Sequence, residues 1–415
     1  MFKLLPIFLL ALTLNLNAQD IEKPRGCFAG TNGTNPAVLA HSDVRGVLLM
    51  ETWANIETSP GVFDFTALNA KISTVKAEGL KYSLAIAGGA FGSPSWLIDS
   101  LNVPYQSFTY QNQTWRLPKW WNFQCKLRLD QLIEELGNQY ASDTMLSHVY
   151  VTQMTSNGVE GHLNGVDMTQ FYSGGFTNSK WISAAKTTAK WFADAFPDKP
   201  IVFEVHEIDN DTLVPATIIN DLYNDASLCN RVGLGMWWIS GKTSYQTDLV
   251  DFIMDFPGDK YAQVIGRSDQ LHRFQDSLYE TVFTQAKDLN IRYIEPWPFE
   301  FQYHTYDSLM QDFNTWADAN FSSTDSCPEF LAAPNDEDQL NELKLYPNPS
   351  SGVVYLSIDV PYQEIELKLY DLEGRCLLTA KNQTQLDLTS LPIGMYTIRV
   401  RVDQLYHNEK IMRIE

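Results

Sequence analysis

The chain is 415 residues long, 44% hydrophobic and 19% charged, which places it among globular proteins with room for one large core and a small second one. Its formal net charge of −20 leaves no basic stripe that could displace phosphate counterions, so nucleic acid is not an expected partner. Eleven Trp, 19 Tyr and 22 Phe exceed the needs of core packing and suit surfaces that stack sugar rings.

The N-terminus reads MFKLLPIFLLALTLNLNAQD, with Lys3 as a short positive region, an apolar run from Leu4 to Leu14, and Leu16-Asn17-Ala18 before Gln19. This is the pattern of a secretory signal over residues 1–18, too short to span a bilayer. No later run reaches transmembrane length, so the expected product is exported and either secreted or attached to the cell surface. Five cysteines, Cys27, Cys125, Cys229, Cys327 and Cys376, show no zinc or redox spacing, and no pairing follows from them. Neither a cofactor nor a metal site is expected.

From about Gly26 to Phe321, short apolar runs alternate with amphipathic helical stretches. The candidate strands are GCFAG, RGVLLMETW, KYSLAIAGG, HVYVTQM, IVFEVHEI, VGLGMWWIS, YAQVIG and IRYIEPW. Between them lie helical patterns such as FTALNAKISTVKAEG, CKLRLDQLIEELGNQYA, KWISAAKTTAKWFADAF, PATIINDLYNDAS, QDSLYETVFTQAKDLN and YDSLMQDFNTWADANF. In the fifth of these, Leu278, Val282, Ala286 and Leu289 mark one face at helical spacing. Eight strands alternating with helices predict an α/β fold, a parallel (β/α)₈ TIM barrel spanning residues 19–321.

After Phe321 the texture changes. The stretch SSTDSCPEFLAAPNDEDQLNE is polar and acidic and reads as a linker over 322–342. From 343 to 415 the runs VVYLSIDV, EIELKLYDLEG, QTQLDLTSLP and GMYTIRVRV alternate with period two between Gly352, Gly374 and Gly394, predicting a small all-β sandwich. The succession LYPNPSSG, LKLYDLEGR and LPIGMYTIRV, closed by a final strand, resembles the type IX secretion C-terminal sorting domain of Bacteroidetes. That resemblance makes the tail an address read by the type IX machinery and leaves the chemistry to the barrel.

Within the barrel, GVLLMETWANIETSPGVFDFTALNAK carries Trp53, Glu57, Gly61, Phe63, Asp64 and Phe65. It is similar in layout to the second βα unit of the retaining (β/α)₈ glycosidase clan that includes β-galactosidases and cellulases. The resemblance implies cleavage of glycosidic bonds in a polysaccharide or oligosaccharide by two carboxyl groups. One is protonated and donates to the leaving oxygen, and the other is ionised and attacks or activates water. In the clan the catalytic acid follows strand four, which points to Glu160 in VTQMTSNGVEGHL. The clan usually has Asn directly before this Glu, whereas Asn157 is followed by Gly158-Val159-Glu160.

For the second carboxylate the first candidate is Glu295 in IRYIEPW, then Glu207, then Asp269. Counted from GCFAG, Glu295 ends strand eight, whereas the clan nucleophile ends strand seven. In IVFEVHEID, alternation puts Glu204 and His206 on one face and Val205 and Glu207 on the other. Sugar walls are expected from Trp53, Trp96, Trp120, Trp121, Trp237, Trp238 and Trp297, with one of Trp237 and Trp238 at the barrel mouth and the other under a helix, and polar contacts from His162 and His206. In the long QNQTWRLPKWW loop, a candidate cleft wall, Arg116 and Lys119 are available to anionic sugars. No nucleophile elbow, HExxH helix or phosphate loop is present. A barrel that binds glycans for a surface uptake system without cleaving them is the alternative.

Overall fold

The computed structural model describes residues 20–110, 112–326, 343–358, 365–371, 376–402 and 405–414. The expected signal segment and most of the expected linker lie outside these residues. Eight parallel strands form one sheet: β1 Gly26–Cys27, β2 Gly46–Thr52, β3 Lys81–Ala87, β4 Leu146–Tyr150, β5 Ile201–Glu204, β6 Val232–Ile239, β7 Lys260–Val264 and β8 Tyr293–Glu295. From β2 onward each pairs with its successor, β8 pairs with β1, and they are the eight runs read from the sequence, in the same order.

Closure depends on the shortest strand. Past Cys27, Ala29 bridges to Val47, its N–H donating to the Gly46 carbonyl at 2.8 Å while its own carbonyl accepts from Leu48 at 2.8 Å. The sheet is therefore a (β/α)₈ barrel. Strands covered on both faces read as unbroken apolar runs, and β6 is buried along its whole length. Inside the barrel lie Phe28, Leu48, Tyr150, Val202, Tyr261 and Tyr293. The outer faces of the strands pack in a second, larger core against the helices.

Those helices are α1 Pro36–Leu39, α2 Thr66–Ala77, α3 Phe123–Tyr140, α4 Asn178–Ala195, α5 Leu213–Tyr223, α6 Thr247–Asp255, α7 Thr281–Asp288 and α8 Asp307–Asn320. Three differ from the sequence expectations. Helices α1 and α6 were not among the helical patterns, and α7 starts at Thr281 rather than upstream. Asp276 and Ser277 adopt positive φ and break the chain ahead of it, so Leu278 is 46% exposed and belongs to no helical face. The long segment after β3 is also more regular than a loop. It folds into an antiparallel hairpin, Tyr105–Tyr110 with Gln113–Pro118, whose inward Gln106 and Phe108 are buried.

The two C-terminal sheets are antiparallel. One sheet holds β9 Lys344–Tyr346, β10 Val353–Ser357 and β13 Gln385–Asp387; the other holds β11 Ile365–Tyr370, β12 Cys376–Lys381, β14 Gly394–Val402 and β15 Leu405–Arg413. Leu345, Val354 and Leu386 of the first face Leu367, Ile398 and Val400 of the second across a shared core, which makes a small β-sandwich. Cys27 and Cys125 are buried free thiols, and Cys229 is disulfide-bonded. Among the described residues no helix is long and apolar enough to cross a membrane.

Candidate active site

The segment that leaves β4 is held by backbone rather than by side-chain bulk. Gly158, at φ 88°, presses against the backbone of Gly88, and Gly89, at φ 58°, presses against that of Thr155; a Cβ on either glycine would overlap the other chain. Gly158 O accepts from the Gly88 N–H at 3.2 Å and from the Gln153 N–H at 2.9 Å. The Gln153 amide donates to the carbonyls of Val159, at 2.8 Å, and Glu204, at 2.7 Å, tying this segment to β5. Asn157 then closes a tight turn: its Oδ1 accepts from the Glu160 N–H at 2.9 Å, and its Nδ2 donates to Glu160 Oε1 at 2.6 Å. The asparagine expected next to the acid thus reaches it from three residues upstream.

Glu160 lines a cavity of about 500 Å³ at the carboxyl end of the barrel. Its side chain keeps 22% exposure. Burial first, and then the charge of Glu204, push its pKa up to about 7, against the pull of the Asn157 bond and the positive charge of Arg273. Glu204, at the end of β5, is 1% exposed, and its carboxyl accepts from the backbone N–H groups of Gly161 at 2.5 Å and Trp237 at 3.0 Å. Burial drives its pKa well above the usual carboxylate range, with those two bonds pulling the other way. His206 Nδ1 meets Glu204 Oε2 at 3.0 Å, as the alternation along β5 predicts. Burial lowers the pKa of His206 to about 4 and that of His162 to about 3, so both rings are neutral at pH 7.

Glu295, the last residue of β8, is fully buried. Its Oε1 accepts from Tyr293 at 2.6 Å and Tyr150 at 3.0 Å, and its Oε2 from Gln263 at 2.8 Å. Burial raises its pKa to about 7 while these three donors favour the ionised form. Glu295 does not line the cavity; Gln263, the inward residue near the end of β7, does. The two acids therefore differ in access: Glu160 faces the cavity, and Glu295 sits behind an amide.

The other expected residues divide. His162, His206, Trp237 and Trp297 line the cavity, and so does Trp238. Trp53, Trp96, Trp120 and Trp121 do not, which corrects their expected role as sugar walls; Trp120 has no exposure and packs on Trp181. Trp53 has no exposure, and its Nε1 donates to Glu57 Oε2 at 2.7 Å; Trp96 Nε1 donates to the Glu57 carbonyl at 3.0 Å. Glu57 itself is a fully buried partner of Arg128, so this motif braces the second βα unit. Trp121 packs against Phe171 and Phe176. Glu207 lies in an adjoining depression, accepting from Thr212 Oγ1 at 2.9 Å, and Asp269 is exposed and paired with Arg267 at 2.8 Å. Arg116 pairs with Asp99, and the Lys119 ammonium donates to the Gly174 carbonyl; neither lines the cavity.

The sequence reading missed Gln263, Phe91, Tyr110 and Tyr245, which complete the walls, and Lys242 and Arg273 at the cavity. Phe91 meets Trp115 of the hairpin at 4.2 Å with the rings tilted, and Tyr110 of the hairpin lines the cavity, so the hairpin does supply part of a wall.

Residues 344–415 match the family model of the secretion system C-terminal sorting domain. The protein is thus a (β/α)₈ barrel followed by a sorting domain that marks it for export, to the cell surface or beyond. No curated protein matches the chain. Among solved structures, the chain is similar to the catalytic domain of β-amylase from Paenibacillus polymyxa, with a TM-score of 0.46, 10% identity, and 71% of this chain and 99% of that one covered. It is also similar to β-galactosidase from Rahnella sp. R3, with a TM-score of 0.45, 9% identity, and 72% and 57% covered. A third, a GH10 structure from Paenibacillus barcinonensis, has a TM-score of 0.40, 12% identity, and 66% and 83% covered.

Proposed function

We propose that the protein is an exported glycoside hydrolase whose barrel, within residues 19–321, cleaves a polysaccharide or oligosaccharide and whose residues 343–415 serve the type IX secretion machinery. The observation that carries this reading is Glu160. It is a carboxyl held rigidly at the carboxyl end of β4, facing an aromatic-lined cavity, with a pKa near 7 that leaves it a proton to give at neutral pH. Trp237, Trp297 and Tyr245 supply the ring faces against which a sugar would stack.

In this reading Glu160 protonates the leaving oxygen and Glu295 is the second carboxylate. Tyr150, Tyr293 and Gln263 favour its ionised form against the opposing effect of burial, and in this reading the Gln263 side chain must move aside to admit the anomeric centre. The layout resemblance implies retention of configuration, which NMR of the first anomer released would test. The main test is reducing-sugar release from plant and algal polysaccharides by the full chain beside Glu160→Gln and Glu295→Gln. Loss of activity in both variants supports the two roles. Activity that survives Glu295→Gln removes that residue from the chemistry.

One observation favours the alternative of a glycan-binding barrel without hydrolysis: the inward group near the end of β7 is an amide, and the carboxylate behind it has no exposure. Glycan binding that both variants retain, with no reducing ends released by the parent, would establish that reading.

A further inference from the structure

Two cations, Lys242 and Arg273, line the cavity. In a chain with a formal net charge of −20, a basic side chain near an acid is the ordinary outcome. Yet among the described residues no carboxylate forms an ion pair with Lys242 or Arg273, and both line the cavity that holds Glu160. The positive charge of Arg273 reaches Glu160 and pulls against the rise in its pKa.

Both are placed by the fold. Gly241, at φ 78°, packs so tightly on Thr281 that the turn after β6 has one path. Gln285, on α7, clamps that turn, accepting from the Gly241 N–H at 2.7 Å and donating to the Lys242 carbonyl at 2.9 Å. The Lys242 ammonium donates to the carbonyl of His272 at 3.0 Å, the residue just before Arg273. The Arg273 guanidinium donates to the Ile265 carbonyl at 2.7 Å, and its stem lies over Gly266. Each cation is thus anchored by a neutral carbonyl, with most of its donors unspent. Lys242 is half-buried and Arg273 exposed where both border the cavity, and a carboxylate or sulfate on a bound molecule matches their free donors.

We propose that the saccharide bound in this cavity is acidic, carrying a uronate carboxylate or a sulfate ester that seats against Lys242 and Arg273. This rests on the reading of the cavity as a saccharide site and adds the class of sugar. The anionic group seats against these two side chains, and Glu160 addresses the neighbouring glycosidic bond.

The test is titration calorimetry of the full chain, carrying Glu160→Gln to prevent turnover, with three probes: neutral xylo- and cello-oligosaccharides, oligogalacturonates, and sulfated galactan oligosaccharides. Acidic probes are expected to bind, and added salt to weaken them. Lys242→Gln and Arg273→Gln are each expected to weaken binding about 10- to 100-fold with an unchanged melting temperature. Binding of oligogalacturonates alone assigns a carboxylate, and binding of the sulfated probe alone assigns a sulfate. Neutral probes bound as tightly as the acidic ones and indifferent to both variants overturn the proposal, as does the absence of binding by either acidic probe. Acidic probes that bind but are never cleaved by the parent chain would end the hydrolase reading and leave this one standing. Cleavage of neutral probes unaffected by either variant would do the reverse.

Discussion

Replacing Glu160 with Gln separates a proton donor from a charge that only shapes the cavity. With a pKa of about 7, Glu160 is half protonated at pH 7, whereas a carboxyl at the usual value of 4.5 would be protonated in about 0.3% of molecules. Burial and the neighbouring Glu204 therefore raise the fraction of competent acid about 150-fold at that pH. On the proposed function the protonated form is the active one, so the parent rate should fall as pH rises through about 7, tenfold per unit beyond it. Glu160→Gln should lower kcat on a natural glycoside about 10²- to 10⁴-fold and erase this basic limb. A dinitrophenyl glycoside carries a leaving group that needs no proton, so the variant should cleave it within a few-fold of the parent. The assay is a pair of pH profiles, one per substrate, on both proteins. An equal loss on the two substrates, or a basic limb that persists in the variant, would refute Glu160 as the acid.

Glu295 carries a raised pKa in the folded state, so its contribution to stability is full below about 4.5 and is lost as pH rises through about 7. Glu295→Gln should remove that dependence and flatten the difference in unfolding free energy between pH 4 and 8 by about 3 kcal/mol at most, read from urea midpoints. Arg128→Ala leaves Glu57 as an unpaired charge with no exposure and should destabilise the fold by about 3–5 kcal/mol, visible as a lower midpoint at unchanged slope. Gly158→Ala cannot keep its φ of 88° without meeting the backbone of Gly88, so activity should drop far more than Trp297→Ala lowers it. Trp297→Ala should raise KM about tenfold with little change in kcat if the ring is a sugar platform.

The barrel was legible because parallel strands buried on both faces are continuous apolar runs, as VGLGMWWI shows from end to end. The hairpin of 105–118 was not, since its turn carries Asn112 at φ 61° rather than the glycine that usually signals one. Leu278 was misread because its spacing to Val282 and Ala286 is helical, and nothing in the composition announces the positive φ of Asp276 and Ser277. Of the site, Glu160, His162 and His206 could be found from strand ends and alternation. Trp53 could not be told from a sugar platform, because its role depends on burial against Glu57, only four residues on. Gln263 is a neutral amide with no catalytic signature, and Lys242 and Arg273 are joined only by the fold, through the carbonyl of His272.

The packing of Gly158 and Gly89 against each other's strand-end segments also constrains how this protein can diversify. Two segments that touch backbone to backbone have no side chains to trade, so a side chain at either glycine requires the facing segment to move. The variable alphabet lies elsewhere around the rim, in Tyr110 on the hairpin, in Lys242 and Tyr245 after β6, and in Trp297 after β8. A library built to redirect specificity should randomise those positions and leave the seat of Glu160 untouched.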